Sequence, residues 1–360
     1  MRAPPFFCAA LSRDAATQFR LKILILKPSS LGDVVQALPV LRLLKQHHRD
    51  SEIHWWIESG NAPLLEGDPD LAGIFRFDRR RWATPGDWAI HWNCVRRMRE
   101  KHFDLVIDLQ ALARSGAVGW LANGKCFVGL HDAREVAHGY YDISVERPSP
   151  QTHAVDWYLA VLRALGVPVH FNFEWLPKRE DVARDMDALW SFNGRPTIAL
   201  LPGARWENKR WPTRHFQELV ARLRSSHADL QFVILGGKSD PPLAEIISSV
   251  APDTTLDLTG RTSLPQMVEV LRQCRAVVTN DTGPMHVAAA LGKPVVGIFG
   301  PTNPSRTGPY GQMDRALQRR DLPCVPCMKA SCSFHEPLAC LTGISPQQVS
   351  EEVLALLHVR

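Results

Sequence analysis

Residues 276–300, AVVTNDTGPMHVAAALGKPVVGIFG, constrain the fold more tightly than any other stretch of the chain. Ala276, Val277 and Val278 open the segment as a short buried strand would. The polar turn Thr279-Asn280-Asp281-Thr282-Gly283 follows. Pro284 then stands where a helix begins, a position at which its missing N–H costs nothing. Residues 285–291 are good helix formers, Gly292 reads as the stop and Pro294 forbids continuation. A second apolar run, residues 295–299, completes strand, turn, helix and strand in the length a parallel crossover needs. Backbone N–H groups at such a helix start favour an anion, and the helix dipole adds to that preference. Asp281, Thr282 and His286 project from the same place, an arrangement suited to a phosphate ester with a sugar attached.

The rest of the chain repeats this alternation. Residues 21–26 (LKILIL) form the first strand, and the turn Lys27-Pro28-Ser29-Ser30-Leu31-Gly32-Asp33 leads into helical periodicity over residues 34–47. Pro39 within that pattern predicts a kink or a later helix start. Strands are predicted at residues 52–58, 103–109 and 126–130, and a small-residue helix at 114–121. A helical pattern over 153–165 closes the first half, and Gly166-Val167-Pro168 breaks it. The second half starts afresh, with strands at 197–201, 231–235 and 255–258 and helices at 216–223, 241–250 and 264–273. Two alternating α/β halves follow, each with a parallel sheet covered by helices on both faces. Ligands of such sheets bind beyond the carboxyl ends of the strands, so a cleft between the halves is the expected site.

At 360 residues two domains are the natural expectation. The divisions are a loose N-terminal extension over 1–20, a first domain over 21–175, a second over 176–345 and a C-terminal helix over 346–360. The extension has no sustained apolar region of a signal peptide, and cytoplasmic location is the default. No apolar stretch reaches the roughly 18 residues that cross a membrane. The net charge of +5 is too small to imply nucleic acid, but it is unevenly spread. Between Arg76 and Lys101 eight Lys or Arg face three acids, a cluster fit for an anionic substrate, an anionic membrane surface or plain solvent. Four of the eight cysteines, Cys324, Cys327, Cys332 and Cys340, lie close in sequence. Their spacings are irregular for a zinc ribbon, so reduced thiols are preferred to a structural metal.

The motifs exclude several chemistries. No Gly-x-Gly-x-x-Gly follows the first strand and no Gly-x-x-x-x-Gly-Lys-Ser/Thr occurs, which removes support for dinucleotide redox chemistry and P-loop hydrolysis. Gly-x-Ser-x-Gly is absent as well. Asp33 ends a Ser-x-x-Asp pattern that fits a helix cap, and its carboxylate could equally accept a proton from a hydroxyl across the cleft. Lys209, in the loop after the first strand of the second half, suits a departing diphosphate or a basic surface loop. His286 falls in the first helical turn beside the anion site. Asp281 reads as a helix cap or as a ligand for sugar hydroxyls together with Thr282, since a carboxylate beside a diphosphate would be repelled.

At these residues the chain resembles the glycosyltransferase family 9 heptosyltransferases, which build the inner core of bacterial lipopolysaccharide. The stretches that carry the resemblance are LKILILKPSSLGDVVQALPVL, LLPGARWENKRWP and VVTNDTGPMHVAAALGKPVVGIFGPTNP. DLVIDLQALARSGAVGWLANGK looks like the enzymes that add the first heptose, and CVPCMKASC like those that add the second. The resemblance implies a GT-B fold, two Rossmann-like domains whose parallel sheets face a central cleft. It implies an acceptor on the first domain and a nucleotide sugar on the second. Transfer would invert the anomeric centre and need neither metal nor cofactor. Asp33 matches the catalytic base of that family, while Lys209, Asp281, Thr282, Gly283 and His286 match its donor-binding positions. Ser29, Ser30 and Gly32 match positions lining the cleft. The implied partners are ADP-heptose and a lipopolysaccharide core acceptor, either Kdo-lipid A or a heptosylated core. Peripheral contact with the cytoplasmic face of the inner membrane is implied too, and nucleic acid is not.

Overall fold

The computed structural model describes residues 20–82, 86, 88–132, 136–189 and 194–358, so all but the last residue of the expected extension over 1–20 lies outside it. The chain divides into two compact units between Pro177 and Lys178.

The first unit is a six-stranded sheet in the order β3-β2-β1-β4-β5-β6. Its strands are β1 (Lys22–Leu26), β2 (Glu52–Glu58), β3 (Gly73–Phe77), β4 (Leu105–Asp108), β5 (Cys126–Leu130) and β6 (Ile143–Val145). Every pairing is parallel, with Lys22 opposite Glu52 on one side of β1 and Ile23 opposite Leu105 on the other. Ile23 to Leu26 are fully buried, as a central parallel strand covered on both faces requires. Helix α1 (Leu31–His47) packs against α4 (Ala154–Ala164), and α2 (Trp88–Arg99) against α3 (Ala113–Ala122). The two pairs occupy opposite faces, because right-handed crossovers leaving β1 and β4 in opposite directions must do so. Leu24, Trp56, Met98, Phe103, Val106 and Phe127 form the core under α2 and α3.

The helix does not start late, although Pro39 alone would suggest it. α1 begins at Leu31 and runs through Pro39 to His47. A proline forfeits one hydrogen bond and crowds the carbonyl four residues back. Residues 34–44 are all buried, and that burial outweighs the local cost.

Arg42, on the same helix and 4% exposed, reaches out of the core to a carboxylate pair. Its guanidinium donates to Asp68 Oδ1 at 2.7 Å and Oδ2 at 2.5 Å, and to Asp70 Oδ2 at 2.7 Å. Two further bonds go to the Trp175 carbonyl, at 3.2 Å and 3.0 Å, and tie the last segment of the unit to α1. Burial opposes the Arg42 charge, but the two carboxylates more than offset it and hold its pKa above the ordinary value.

The second unit repeats the plan in the order β12-β11-β10-β7-β8-β9, again wholly parallel. Its strands are β7 (Thr197–Leu201), β8 (Gln231–Ile234), β9 (Thr255–Asp257), β10 (Ala276–Asn280), β11 (Val295–Phe299) and β12 (Ala316–Gln318). The longer helices are α5 (Glu180–Leu189), α6 (Thr213–Ser226), α7 (Pro241–Ser248), α8 (Leu264–Gln273), α9 (Gly283–Ala290) and α10 (Pro346–His358). α6 packs with α7 and α10 over a core that includes Trp211, Phe216, Phe232, Leu341 and Val353, while α8 packs with α5 and α9. Among the described residues no helix is long and apolar enough to cross a membrane.

Replacing Arg42 by alanine should strand two carboxylates, one of them buried, and cost the first unit about 3–5 kcal/mol. Urea unfolding followed by tryptophan fluorescence measures it, and an unchanged midpoint would mean that the fork contributes nothing.

Candidate functional site

Both sheets carry the strand order of a doubly wound dinucleotide-type fold, three strands to each side of a reversal. The reversal falls between β1 and β4 in the first unit and between β7 and β10 in the second. The expected site residues cluster beyond those strand ends.

In the first unit, the turn after β1 passes Ser29 and Ser30 and enters α1 with Gly32 buried. The Asp33 carboxylate folds back on the turn, where Oδ2 accepts from the Ser30 N–H at 2.9 Å and from its hydroxyl at 2.7 Å. Asp33 therefore does cap the helix, as its spacing alone predicts, and it remains partly exposed. Ser29, Ser30, Gly32 and Asp33 are thus brought together.

Behind them stand two further charged residues. Lys27 is 3% exposed, and its ammonium donates to the Leu109 carbonyl at 2.9 Å and lies 4.8 Å from the centre of the Tyr158 ring. Burial works against this charge, but Tyr158, Asp33 and Asp108 more than compensate and raise the lysine pKa above its ordinary value. Asp108, at the end of β4, is fully buried. It accepts from the Gln110 and Ala111 N–H groups at 2.8 Å and 3.2 Å and from the Tyr141 hydroxyl at 2.8 Å. Burial pushes its pKa up despite these donors. Gly129 leaves room for the tyrosine, since a Cβ there would meet the Tyr141 ring at 2.3 Å. A charge just past one apolar run (Lys27) and another inside a second (Asp108) were the signals available in the sequence.

In the second unit, the loop after β7 makes a short 3-10 turn, Glu207–Lys209, which brings Lys209 to the end of β10. Lys209 Nζ meets Asp281 Oδ2 at 2.6 Å and lies 4.8 Å from the Trp206 ring centre. Thr302, after β11, donates its hydroxyl to the same Asp281 oxygen at 2.6 Å. Thr302 was not foreseen, although it lies in one of the stretches that carry the family resemblance. Thr282 takes the extended conformation of a helix N-cap without a side-chain cap bond, and Gly283 begins α9. His286, 8% exposed, lies in the same helix. Asn280 is fully buried and joins the two central loops. Its amide donates to the Pro202 carbonyl at 2.7 Å and accepts from the Trp211 N–H at 3.0 Å. Beside this, a Cβ on Gly203 would come within 2.3 Å of Asp240 Oδ2, so that glycine lets the carboxylate pack against the strand end.

Cys324, Cys327, Cys332 and Cys340 line one cavity of about 150 Å³ beside Asn208, whose amide donates to the Lys329 carbonyl at 2.9 Å. All four are free thiols. Burial, then the neighbouring Cys332, Cys324 and Cys327, push the Cys340 thiol up to about 11. Among the described residues no group of three or more His, Cys, Asp or Glu is placed to hold a metal ion.

Each unit thus belongs to the Rossmann-like class of ligand-binding α/β domains, with polar side chains gathered at its switch point. The sequence profile of glycosyltransferase family 9 (heptosyltransferase) matches residues 91–337. Lipopolysaccharide heptosyltransferase 1 of Pseudomonas aeruginosa is 31% identical to this chain, over 94% of it and 98% of the relative. Lipopolysaccharide heptosyltransferase 2 of Escherichia coli is 28% identical over 94% and 99% of the two chains. The solved structure of E. coli ADP-heptose lipopolysaccharide heptosyltransferase II superposes with a TM-score of 0.75 at 26% identity, covering 94% of this chain and 98% of that one. The chain belongs to glycosyltransferase family 9, and its architecture is that of the GT-B glycosyltransferases.

Asn280→Ala should leave the Pro202 carbonyl and Trp211 N–H without partners and destabilise the second unit by roughly 2–5 kcal/mol. Hydrogen exchange reads it directly. The Trp211 amide should exchange much faster in the variant, and unchanged protection would show that the clamp is dispensable.

Proposed function

We propose that this glycosyltransferase moves a heptose from ADP-heptose to the inner core of lipopolysaccharide, the acceptor being Kdo-lipid A or an already heptosylated core. The observation that carries the reading is the Lys209–Asp281–Thr302 cluster at a strand reversal, in a chain whose relatives are lipopolysaccharide heptosyltransferases. The solved E. coli relative, an ADP-heptose lipopolysaccharide heptosyltransferase, supports the choice of donor.

The Asp33 carboxylate takes the proton of the acceptor hydroxyl as its oxygen attacks the anomeric carbon. The new C–O bond forms on the face opposite the leaving group, the bond from that carbon to the diphosphate oxygen breaks, and ADP departs. The anomeric configuration inverts. Lys209 and the N-terminus of α9 at Gly283 take up the charge that develops on the diphosphate, the task for which other enzymes recruit a metal ion. Asp281 holds the lysine in place, and its own charge is offset by Lys209 and Thr302. That offset removes the repulsion a bare carboxylate would exert on the donor. Asp281 and Thr282 orient the sugar, and His286 contacts phosphate. Ser29, Ser30 and Gly32 form the wall along which the acceptor approaches. The enzyme works in the cytoplasm, in peripheral contact with the inner membrane where its acceptor lies.

Asp33→Ala should lower kcat by about 10²–10⁴-fold, the usual worth of a general base, while ADP-heptose binding stays close to that of the parent. Calorimetric titration and a transfer assay on the same preparation separate the two effects. Near-normal turnover of the variant would remove the base assignment.

A further inference from the structure

The solvent face of α2, with the adjoining part of α3, combines two properties that rarely meet on a freely solvated surface. Three of the nine exposed large apolar side chains among the described residues lie here: Ile90, Trp92 and Trp120. Trp92 is 59% exposed, Trp120 50% and Ile90 49%. Arginines are interleaved with them. Arg96 stands one helical turn beyond Trp92, and Arg97 two turns beyond Ile90, so each shares a face with an apolar side chain. Arg99 donates to the Leu121 carbonyl at 3.5 Å, which sets its charge beside Trp120. No acid occurs within α2. Glu100, just past its end, meets Arg96 at 3.6 Å with both side chains over 60% exposed, a pair that water screens and a stronger anion displaces.

The buried side of α2 is fully used, because Val95 and Met98 enter the core. The outward residues are therefore not a displaced core stripe. Trp92, Arg96 and Arg99 lie on the flank of α2 next to Trp120, and Ile90 and Arg97 on the opposite flank. The solvent side of the helix is thus bordered on both sides by an apolar side chain with an arginine in line with it, which fits the boundary of a bilayer. There Trp and Ile enter the acyl region while guanidinium groups stay with anionic head groups. Two other partners fit less well. A second copy of this chain would set one row of arginines against another, and nucleic acid offers Ile90 nothing to bury it.

We propose that this face docks the enzyme on an anionic lipid surface, with α2 lying in the plane of the head groups. The proposal deepens the peripheral membrane contact stated above and rests on it. The arginines supply most of the range, at about 1 kcal/mol or roughly fivefold in partition for each. The apolar anchors supply the part that salt does not remove.

Sedimentation of the full chain with vesicles of phosphatidylethanolamine and phosphatidylglycerol tests it, with phosphatidylcholine vesicles as the neutral control. The parent should partition to the anionic vesicles and weaken as salt is raised. Arg96→Gln with Arg97→Gln should reduce partition by about 25-fold and flatten the salt dependence. Ile90→Ser with Trp92→Ser should remove the binding that persists at high salt. Both double variants should keep the parent's transfer rate on a deacylated, water-soluble acceptor, since neither touches the donor or acceptor residues assigned above. Vesicle binding equal to the parent's in both variants would overturn the proposal. So would a phenotype confined to RNA binding or to oligomeric state. Transfer failing with every acceptor while vesicle binding persists would sink the functional reading and leave the docking surface standing.

Discussion

In each unit a buried polar side chain hydrogen-bonds across the point where the sheet reverses, and the placement of the polar cluster depends on it. Neighbouring parallel strands elsewhere in a doubly wound sheet are followed by connections that leave in the same direction. At the reversal they leave in opposite directions, so the backbone just beyond the two central strands has no chain above it. Those carbonyl and N–H groups are strong hydrogen-bonding groups that must be satisfied. In the first unit Lys27, just past β1, bonds the Leu109 carbonyl just past β4. In the second, Asn280 at the end of β10 bonds the Pro202 carbonyl just past β7 and the Trp211 N–H further along the same loop. The same solution therefore appears twice, with an ammonium in one unit and an amide in the other.

The choice of group has electrostatic consequences. A lysine in the first unit places a positive charge in the sheet edge, where Asp33 and Asp108 act on it through a medium that screens poorly. The cost of burying the charge is met only because the opposite charges and the Leu109 carbonyl are already in place. The neutral amide in the second unit creates no such field. The cation there, Lys209, arrives from the loop instead and stays partly accessible, with 18% of its side chain exposed. An ammonium that can still be reached by solvent can also be reached by a ligand, which Lys27 cannot.

The elements most legible in the sequence were those whose residues are buried on both faces. The apolar runs of β1, β2, β5, β7, β10 and β11 stand out because a central parallel strand has no polar side to interrupt it. β3, β6 and β12 escaped notice for the complementary reason. GIFRF carries an exposed arginine, while ISV and ALQ are three residues long and only partly buried. Each is an edge or near-edge strand that its neighbours recruit rather than one its own composition specifies. Pro39 misled because propensity is local, whereas α1 is held by the burial of its whole middle. Among the residues assigned above to the proposed site, Asp33, Lys209, Asp281 and the start of α9 could be read from their position after a strand. Lys27 also follows a strand, but its role and those of Asp108 and Thr302 come from partners 21 to 82 positions away.

The two readings of Asp33 that its spacing leaves open, helix cap and proton acceptor, are compatible once geometry is considered. A carboxylate has two oxygens and about four acceptor sites, and the Ser30 amide and hydroxyl converge on Oδ2 alone. Donors on one oxygen fix the plane of the carboxylate and remove the rotamer freedom that a surface aspartate would keep. A base gains from being held, because a proton is transferred efficiently only along a short, aligned path. In the mechanism proposed above, the cap would be the device that aims the carboxylate, and its contribution to helix stability comes from the same two bonds. An aspartate serves here better than a glutamate would, because the shorter side chain reaches back to residue 30 with one fewer torsion to restrain.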